Sequence, residues 1–318
     1  VPLFPGNSYA VPLNPEIEVF IRDMVEKHHF DPSELRRIFS QVKPQPEVLR
    51  AIAAPATALP WNEYRALFIN PTRIADGVKF WDENAESLSR ARQQYGVSEE
   101  IIVATIGVET RYGRNTGTHR VLDALTTLAF DYTQRAGFFR RELEQFLLLT
   151  REEGIDPLSI KGSYAGAMGI PQFIPSAYRH YAVDFDGDGK LNLWGSPADA
   201  IGSIAHYLKV YGWKPDEPVA VGAQVSGDEF RELLWQDIKP HTRVAELQKI
   251  GVTPEKEIPG EMLASLFALG EGDDARYWLA LNNFYVIIRY NRSINYAMSV
   301  YELSREIREV RETRAAAK

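Results

Sequence analysis

The chain has 318 residues, of which 45% are hydrophobic, 25% are charged and none is cysteine, and its formal net charge is −7. A chain of this length exceeds what one hydrophobic core usually organises, so two or three packed subdomains are expected. The composition excludes global disorder, the missing thiols exclude disulfides, thiolate catalysis and Cys-held metals, and the acidic balance lacks the footprint of a nucleic-acid binder.

Residues 1–15 carry Pro2, Pro5, Pro12 and Pro15 and are expected as an extended arm. Because the chain begins at Val1, a signal peptide or lipid-bearing residue upstream would not be visible in it. From Glu16 to Phe39 the apolar residues recur at helical spacing, and Asp31-Pro32 predicts a break between two helices. Helical patterns continue over Asn62–Phe68 and Val78–Tyr95. Ser98 then stands as a helix N-cap followed by Glu99 and Glu100, and the run from Ile101 to Val108 is apolar all round, which predicts a buried helix ended by Gly113.

Further helices are predicted over Val121–Phe130, Phe138–Glu153 and Ala198–Tyr211, the last with Ser196 and Asp199 at capping-box spacing around Pro197. Between about Pro215 and Leu281, short β-prone pieces such as Val219-Ala220-Val221 alternate with Gly, Pro and Asp and predict a small sheet-containing insertion. Helical periodicity returns from Tyr296 to Arg311. No apolar run is long enough to span a bilayer as a helix.

Four features carry chemistry. Glu109 closes the buried apolar helix in Gly107-Val108-Glu109-Thr110-Arg111-Tyr112-Gly113. A carboxyl taken out of water is hard to ionise and can act as a proton donor near neutral pH; the competing reading is a surface ion pair with Arg111 or Arg114. The stretch Lys161 to Tyr178 holds three glycines and two prolines among uncharged residues, either a backbone on which a ligand lies closely or a tight structural connection. Its Ser163 and Gln172 offer neutral donors and acceptors that suit an N-acetyl sugar.

The third feature, Asp184-Phe-Asp186-Gly-Asp188-Gly189-Lys190-Leu191, places carboxylates at positions 1, 3 and 5 of an EF-hand-type loop, with Gly189 at the sharp turn and the Lys190 carbonyl at position 7. Position 12 is Gly195, and the next carboxylate, Asp199, reads either as the last ligand of an enlarged loop or as a helix cap. Calcium is expected rather than magnesium, which usually keeps several waters. The fourth is a supply of aromatics and amides (Trp61, Tyr64, Tyr207, Tyr211, Trp213, Tyr290, Asn291, Asn295 and Tyr296) of the kind that lines a polysaccharide groove.

Taken together, these motifs resemble the B-type membrane-bound and soluble lytic transglycosylases, glycoside hydrolase family 103. The likeness runs from about Pro60 to Arg305 and includes Gly107–Gly113, Ser163–Gly169, Gln172–Ser176, the Asp184 loop and Asn283–Asn291. It implies an α+β, predominantly α fold: a lysozyme-like core with an EF-hand-type calcium loop, a helical subdomain and a small β-containing subdomain. The expected division is an arm and helical part over 1–75, the catalytic core over 76–214, the β-containing insertion over 215–282 and closing helices over 283–318.

Carried over by position, the resemblance makes Glu109 the acid–base catalyst. Tyr64, Arg135, Ser163, Gln172, Tyr207, Tyr290, Asn291 and Tyr296 become substrate contacts, and Asp184, Asp186, Asp188, Lys190 and Asp199 the ligands of one structural calcium. Of a basic pair the family places in its groove only Arg135 persists, with Gln134 at the other position. The implied reaction cuts the β-1,4 bond between N-acetylmuramic acid and N-acetylglucosamine in peptidoglycan and closes a 1,6-anhydro ring, without an organic cofactor. The implied setting is a periplasmic monomer on glycan strands, with room for an upstream lipid anchor to the outer membrane and for recruitment by other cell-wall enzymes. Two alternatives compete: a goose-type lysozyme using a second carboxylate from among Asp123, Asp131 and Glu142, and a calcium-dependent glycan-binding protein without activity.

Overall fold

The structure is a computed structural model in which residues 14–53, 59–234, 237–270 and 272–317 are described; the expected arm lies outside them up to residue 13. Among these residues the helices are α1 (Pro15–His28), α2 (Pro32–Phe39), α3 (Pro46–Ala53), α4 (Trp61–Phe68), α5 (Pro71–Glu83), α6 (Ala85–Tyr95), α7 (Glu99–Thr110), α8 (Val121–Asp131), α9 (Ala136–Glu152), α10 (Pro175–Tyr181), α11 (Pro197–Val210), α12 (Val244–Lys249), α13 (Asn282–Tyr290) and α14 (Ile294–Ala316). The strands are β1 (His119–Arg120), β2 (Lys161–Gly162), β3 (Ala220–Val225), β4 (Thr242–Arg243), β5 (Val252–Pro254), β6 (Leu263–Leu269) and β7 (Arg276–Ala280). The fold is mostly helical with a minor sheet.

The chain forms two compact units. Among the described residues one comprises 14–53, 117–168 and 172–180; the other takes 59–116, 169–171 and the described residues from 181 to 317. In the first unit α1 packs on α2, and α8 packs on α3 and α9. The ring of Phe20 meets Phe39 and Phe130 edge-on at 5.9 and 6.1 Å. The break predicted at Asp31-Pro32 is present. His29 ends α1 in the left-handed region, and the Asp31 carboxylate caps α2 by accepting the Glu34 N–H at 2.8 Å.

In the second unit α7 is surrounded by α5, α6, α11 and α14. Its sequence is rich in β-branched residues, which are mediocre helix formers, yet every residue from Ile101 to Val108 is buried. Burial of apolar surface therefore outweighs local propensity. The segment Val78–Tyr95, predicted as one helix, is two. Asn84 ends α5 by donating its side-chain amide to the Phe80 carbonyl at 2.8 Å, and its non-helical backbone restarts the chain as α6. The predicted β portion is a five-stranded antiparallel sheet of order β4-β6-β7-β3-β5. One face covers a core of Val221, Phe230, Val244, Leu247, Leu266 and Leu279.

Candidate active site

Glu109 sits in the last turn of α7, and the chain beyond it leaves the helix unusually. The helix ends at Thr110, three residues before the predicted stop, because Arg111 and Tyr112 already adopt left-handed backbone angles (φ 52° and 62°) ahead of Gly113 (φ 82°). Each such non-glycine residue costs of order 1–2 kcal/mol and persists only when its surroundings fix it. Here the fixing is visible. The Arg111 and Tyr112 amides return to the Gly107 and Ile106 carbonyls at 3.2 and 3.3 Å. The Tyr112 hydroxyl donates to the Arg73 carbonyl at 2.8 Å, with its ring packed where Gly77 and Gly107 lack side chains.

From α5, Arg73 donates a guanidinium N–H to the Gly107 carbonyl at 2.7 Å. The Thr110 hydroxyl accepts the Gly113 N–H and donates to the Ile170 carbonyl, both at 3.0 Å. Arg73, Thr110 and Tyr112 were not singled out from sequence. Thr110 and Tyr112 lie within the quoted Gly107–Gly113 segment, but what they do there depends largely on contacts with Ile170 and Arg73 elsewhere in the chain.

Glu109 is partly buried, and removal from water raises its carboxyl from an ordinary 4.5 to about 7. Opposing that rise, the Tyr296 hydroxyl donates to Oε1 at 2.6 Å. Arg114, one of the two ion-pair partners considered for Glu109, instead pairs with Asp76. The phenols of Tyr64, Tyr290 and Tyr296 all feel the Glu109 charge, and burial followed by that charge pushes each well above the ordinary tyrosine value. Rings continue outward from there. Tyr296 stacks on Tyr290 (6.3 Å between centroids, 11° between planes), and Tyr290 meets Tyr207 edge-on at 4.9 Å. The Tyr207 hydroxyl donates to the Arg289 carbonyl at 2.7 Å, and that of Tyr290 to the Pro171 carbonyl at 2.5 Å.

The second unit thus gathers Glu109, Tyr64, Tyr207, Tyr290 and Tyr296. Asn291 is exposed at the end of α13. Asn295 instead donates to the Leu59 carbonyl at 3.0 Å, and Trp213 is buried.

Arg135, Ser163 and Gln172 belong to the first unit. Arg135 is exposed, with its guanidinium over the Phe138 ring at 4.4 Å. Ser163 is drawn into its own turn, its Oγ accepting the Ala165 and Ala167 amides at 3.2 and 3.0 Å. Gln172 has left-handed backbone angles (φ 52°) inside a short antiparallel bridge in which Met168 and Phe173 exchange backbone hydrogen bonds at 2.8 and 3.1 Å. Of the carboxylates considered for a hydrolase, Asp123 and Glu142 are buried and engaged. Asp123 accepts from Arg120 at 2.6 Å and Glu142 from Ser176, while Asp131 is exposed.

In the acidic loop, oxygens of Asp184, Asp186 and Asp188 lie within 4.8 Å of one another. Asp184 accepts the Gly187 and Gly189 amides at 2.8 and 2.9 Å, and Gly187 and Gly189 take the positive φ that the turn requires. Three converging carboxylates are a donor set that fits a hard cation. Asp199 stands apart from this cluster. Fully buried, it accepts the Phe185, Asp186 and Asn192 amides at 2.8, 3.3 and 2.9 Å, while its own N–H bonds to the Ser196 hydroxyl that caps α11. Only half of the expected capping box is made: Ser196 caps α11, but its own N–H bonds to the Asn192 carbonyl at 3.0 Å while the Asp199 carboxylate turns to those three amides.

On a mostly helical frame, a carboxyl that is hard to ionise thus sits at the end of a buried helix among the phenols of Tyr64, Tyr290 and Tyr296. The chain belongs to the family described as Transglycosylase SLT domain, which matches residues 13–305. Membrane-bound lytic murein transglycosylase B of Escherichia coli (strain K12) is 46% identical to it over 306 residues, covering 92% of this chain and 83% of that protein. Soluble lytic transglycosylase SltB1 from Pseudomonas aeruginosa superposes with a TM-score of 0.88 at 46% identity, covering 94% of this chain and 100% of that one. The Escherichia coli lytic transglycosylase Slt35 in complex with calcium gives 0.86 at 46% identity, with 94% of both chains covered. The protein is a lytic transglycosylase.

Proposed function

We propose that Glu109 is the single acid–base catalyst for cleavage of the β-1,4 bond between N-acetylmuramic acid and N-acetylglucosamine in peptidoglycan. The protonated carboxyl gives its proton to the glycosidic oxygen as the bond breaks. The neighbouring N-acetyl group stabilises the positive charge that develops at the sugar. Glu109, now ionised and still hydrogen-bonded by Tyr296, takes the proton from the muramyl C6 hydroxyl, and that oxygen closes the 1,6-anhydro ring. One residue can serve as acid and then base because its protonation state resets within each cycle.

The observation that carries this reading is the Glu109 carboxyl raised to about 7, which leaves it half protonated near neutral pH. The engagement of Asp123 and Glu142 supports ring closure over a two-carboxylate hydrolysis. Mass spectrometry of digested sacculi tests it. The parent protein yields 1,6-anhydromuramyl ends and Glu109→Gln yields none, whereas plain reducing ends would make the protein a hydrolase.

Substrate contacts in this reading come from Tyr64, Tyr207, Tyr290, Asn291 and Tyr296 in the second unit and from Arg135, Ser163 and Gln172 in the first. Asp184, Asp186, Asp188 and the Lys190 carbonyl hold a structural calcium. Asp199 supports that site either as a further ligand or, as its three amide contacts favour, by shaping the loop from inside. The calcium complex of Slt35 supports the choice of metal. A functional division at residues 75, 214 and 282, with a lysozyme-like core and a helical subdomain, is part of this proposal. The protein acts as a monomer in the periplasm, at the outer membrane. Among the described residues no helix is long and apolar enough to cross a membrane; in this reading a lipid anchor provides the attachment, which the membrane-bound relative supports.

A further inference from the structure

Glu142 is 5% exposed on α9, and no step of the reaction uses it. Its carboxylate grips one residue with both oxygens. Oε2 accepts the Ser176 N–H at 2.9 Å and Oε1 accepts the Ser176 hydroxyl at 2.8 Å. Ser176 stands in the first turn of α10, directly after Ile174-Pro175, so the grip fixes where the chain leaves the segment that carries Gln172. On its other side that segment is held by the Met168–Phe173 bridge. Gln172, between these two fixtures, keeps a positive φ that an unrestrained glutamine rarely adopts. A solvent-exposed carboxylate could cap a helix at little cost. One buried this deeply is expensive to retain unless the geometry it enforces matters.

We propose that Glu142 is a positioning residue for substrate binding, acting through Ser176 to hold Gln172 in the orientation that meets the glycan. The clamp works by hydrogen-bond geometry, so an isosteric amide, which can accept the Ser176 N–H and donate to its hydroxyl, preserves it, whereas an apolar side chain does not. The inference rests on the reading of Gln172 as a substrate contact, and a double-mutant cycle separates the two.

Kinetics on soluble glycan strands are measured for Glu142→Leu, Glu142→Gln, Gln172→Ala and the double variant Glu142→Leu/Gln172→Ala, with a thermal melt of each. Glu142→Leu and Gln172→Ala are each expected to lower kcat/KM about tenfold, mainly through KM, with Glu142→Gln recovering most of the loss. In the Gln172→Ala background, Glu142→Leu is expected to have no further effect. An equal loss in both backgrounds overturns the proposal, as does a folded Glu142→Leu with unchanged kcat/KM beside an impaired Gln172→Ala. Unchanged kcat/KM in Gln172→Ala would instead overturn the reading of Gln172, and the route through it. Should Glu142→Leu fail to fold, Ser176→Ala removes one arm of the clamp and takes its place in the same cycle under the same criteria.

Discussion

Replacing Glu109 by glutamine keeps the shape of the side chain and removes its ionisation, which isolates what the buried carboxyl costs the fold. The group titrates at an ordinary 4.5 when exposed and at about 7 in the folded protein. Folding therefore favours the neutral form. The stabilisation is complete below about pH 4.5 and is lost as pH rises through 7. Across the whole window the loss amounts to about 3 kcal/mol, at about 1.4 kcal/mol per pKa unit.

The parent should accordingly weaken relative to Glu109→Gln by about 2–3 kcal/mol between roughly pH 5 and pH 8. Urea denaturation of both proteins at those two pH values reads the difference directly. At the higher pH the inactive variant is expected to be the more stable of the two. A parent and variant whose stability difference stays constant with pH would show that Glu109 titrates like an exposed carboxylate, and the reasoning that makes it a proton donor would fall.

Two further outcomes follow from neighbouring contacts. Tyr296→Phe removes the hydroxyl that stabilises ionised Glu109 at 2.6 Å, so the alkaline limb of the kcat/KM profile should move up by about one to two pH units; an unmoved limb would dissociate Tyr296 from the acid. Calcium at about one hundred times its dissociation constant should stabilise the parent by about 2.7 kcal/mol, and Asp186→Ala should abolish that gain. A parent whose melting temperature ignores calcium would remove the metal site.

Features encoded within one or two helical turns were legible in the sequence. The break at Asp31-Pro32 and the Ser196 cap of α11 each follow from side-chain chemistry a few residues away. The burial of α7 was legible because its apolar run leaves no polar face. The break at Asn84 is not legible, because one residue, donating its amide to the Phe80 carbonyl and leaving helical backbone angles, divides an otherwise continuous helical pattern. The left-handed exit after Glu109 was invisible, since Arg111 and Tyr112 have no intrinsic reason to adopt it; the reason is the Tyr112 ring against two glycines and the Arg73 carbonyl, far along the chain. In the site, the residue types and order that surround Glu109 were readable. The inward turn of Asp199 and the engagement of Glu142 were not, because both depend on which amide each carboxylate reaches.

The interleaving of the two units has a consequence for how the molecule is made. Residues 14–53 belong with α8 and α9, which lie beyond a stretch assigned to the other unit. A ribosome therefore releases α1 to α3 well before their packing partners exist, and their apolar faces must wait through the synthesis of α4 to α7. Contacts so distant in sequence slow folding and lengthen the exposure of sticky surface. Neither unit is one continuous stretch of sequence, so neither can be cut out as a single segment, and a chaperone that shields α1 to α3 during that interval is expected to raise the yield of folded protein.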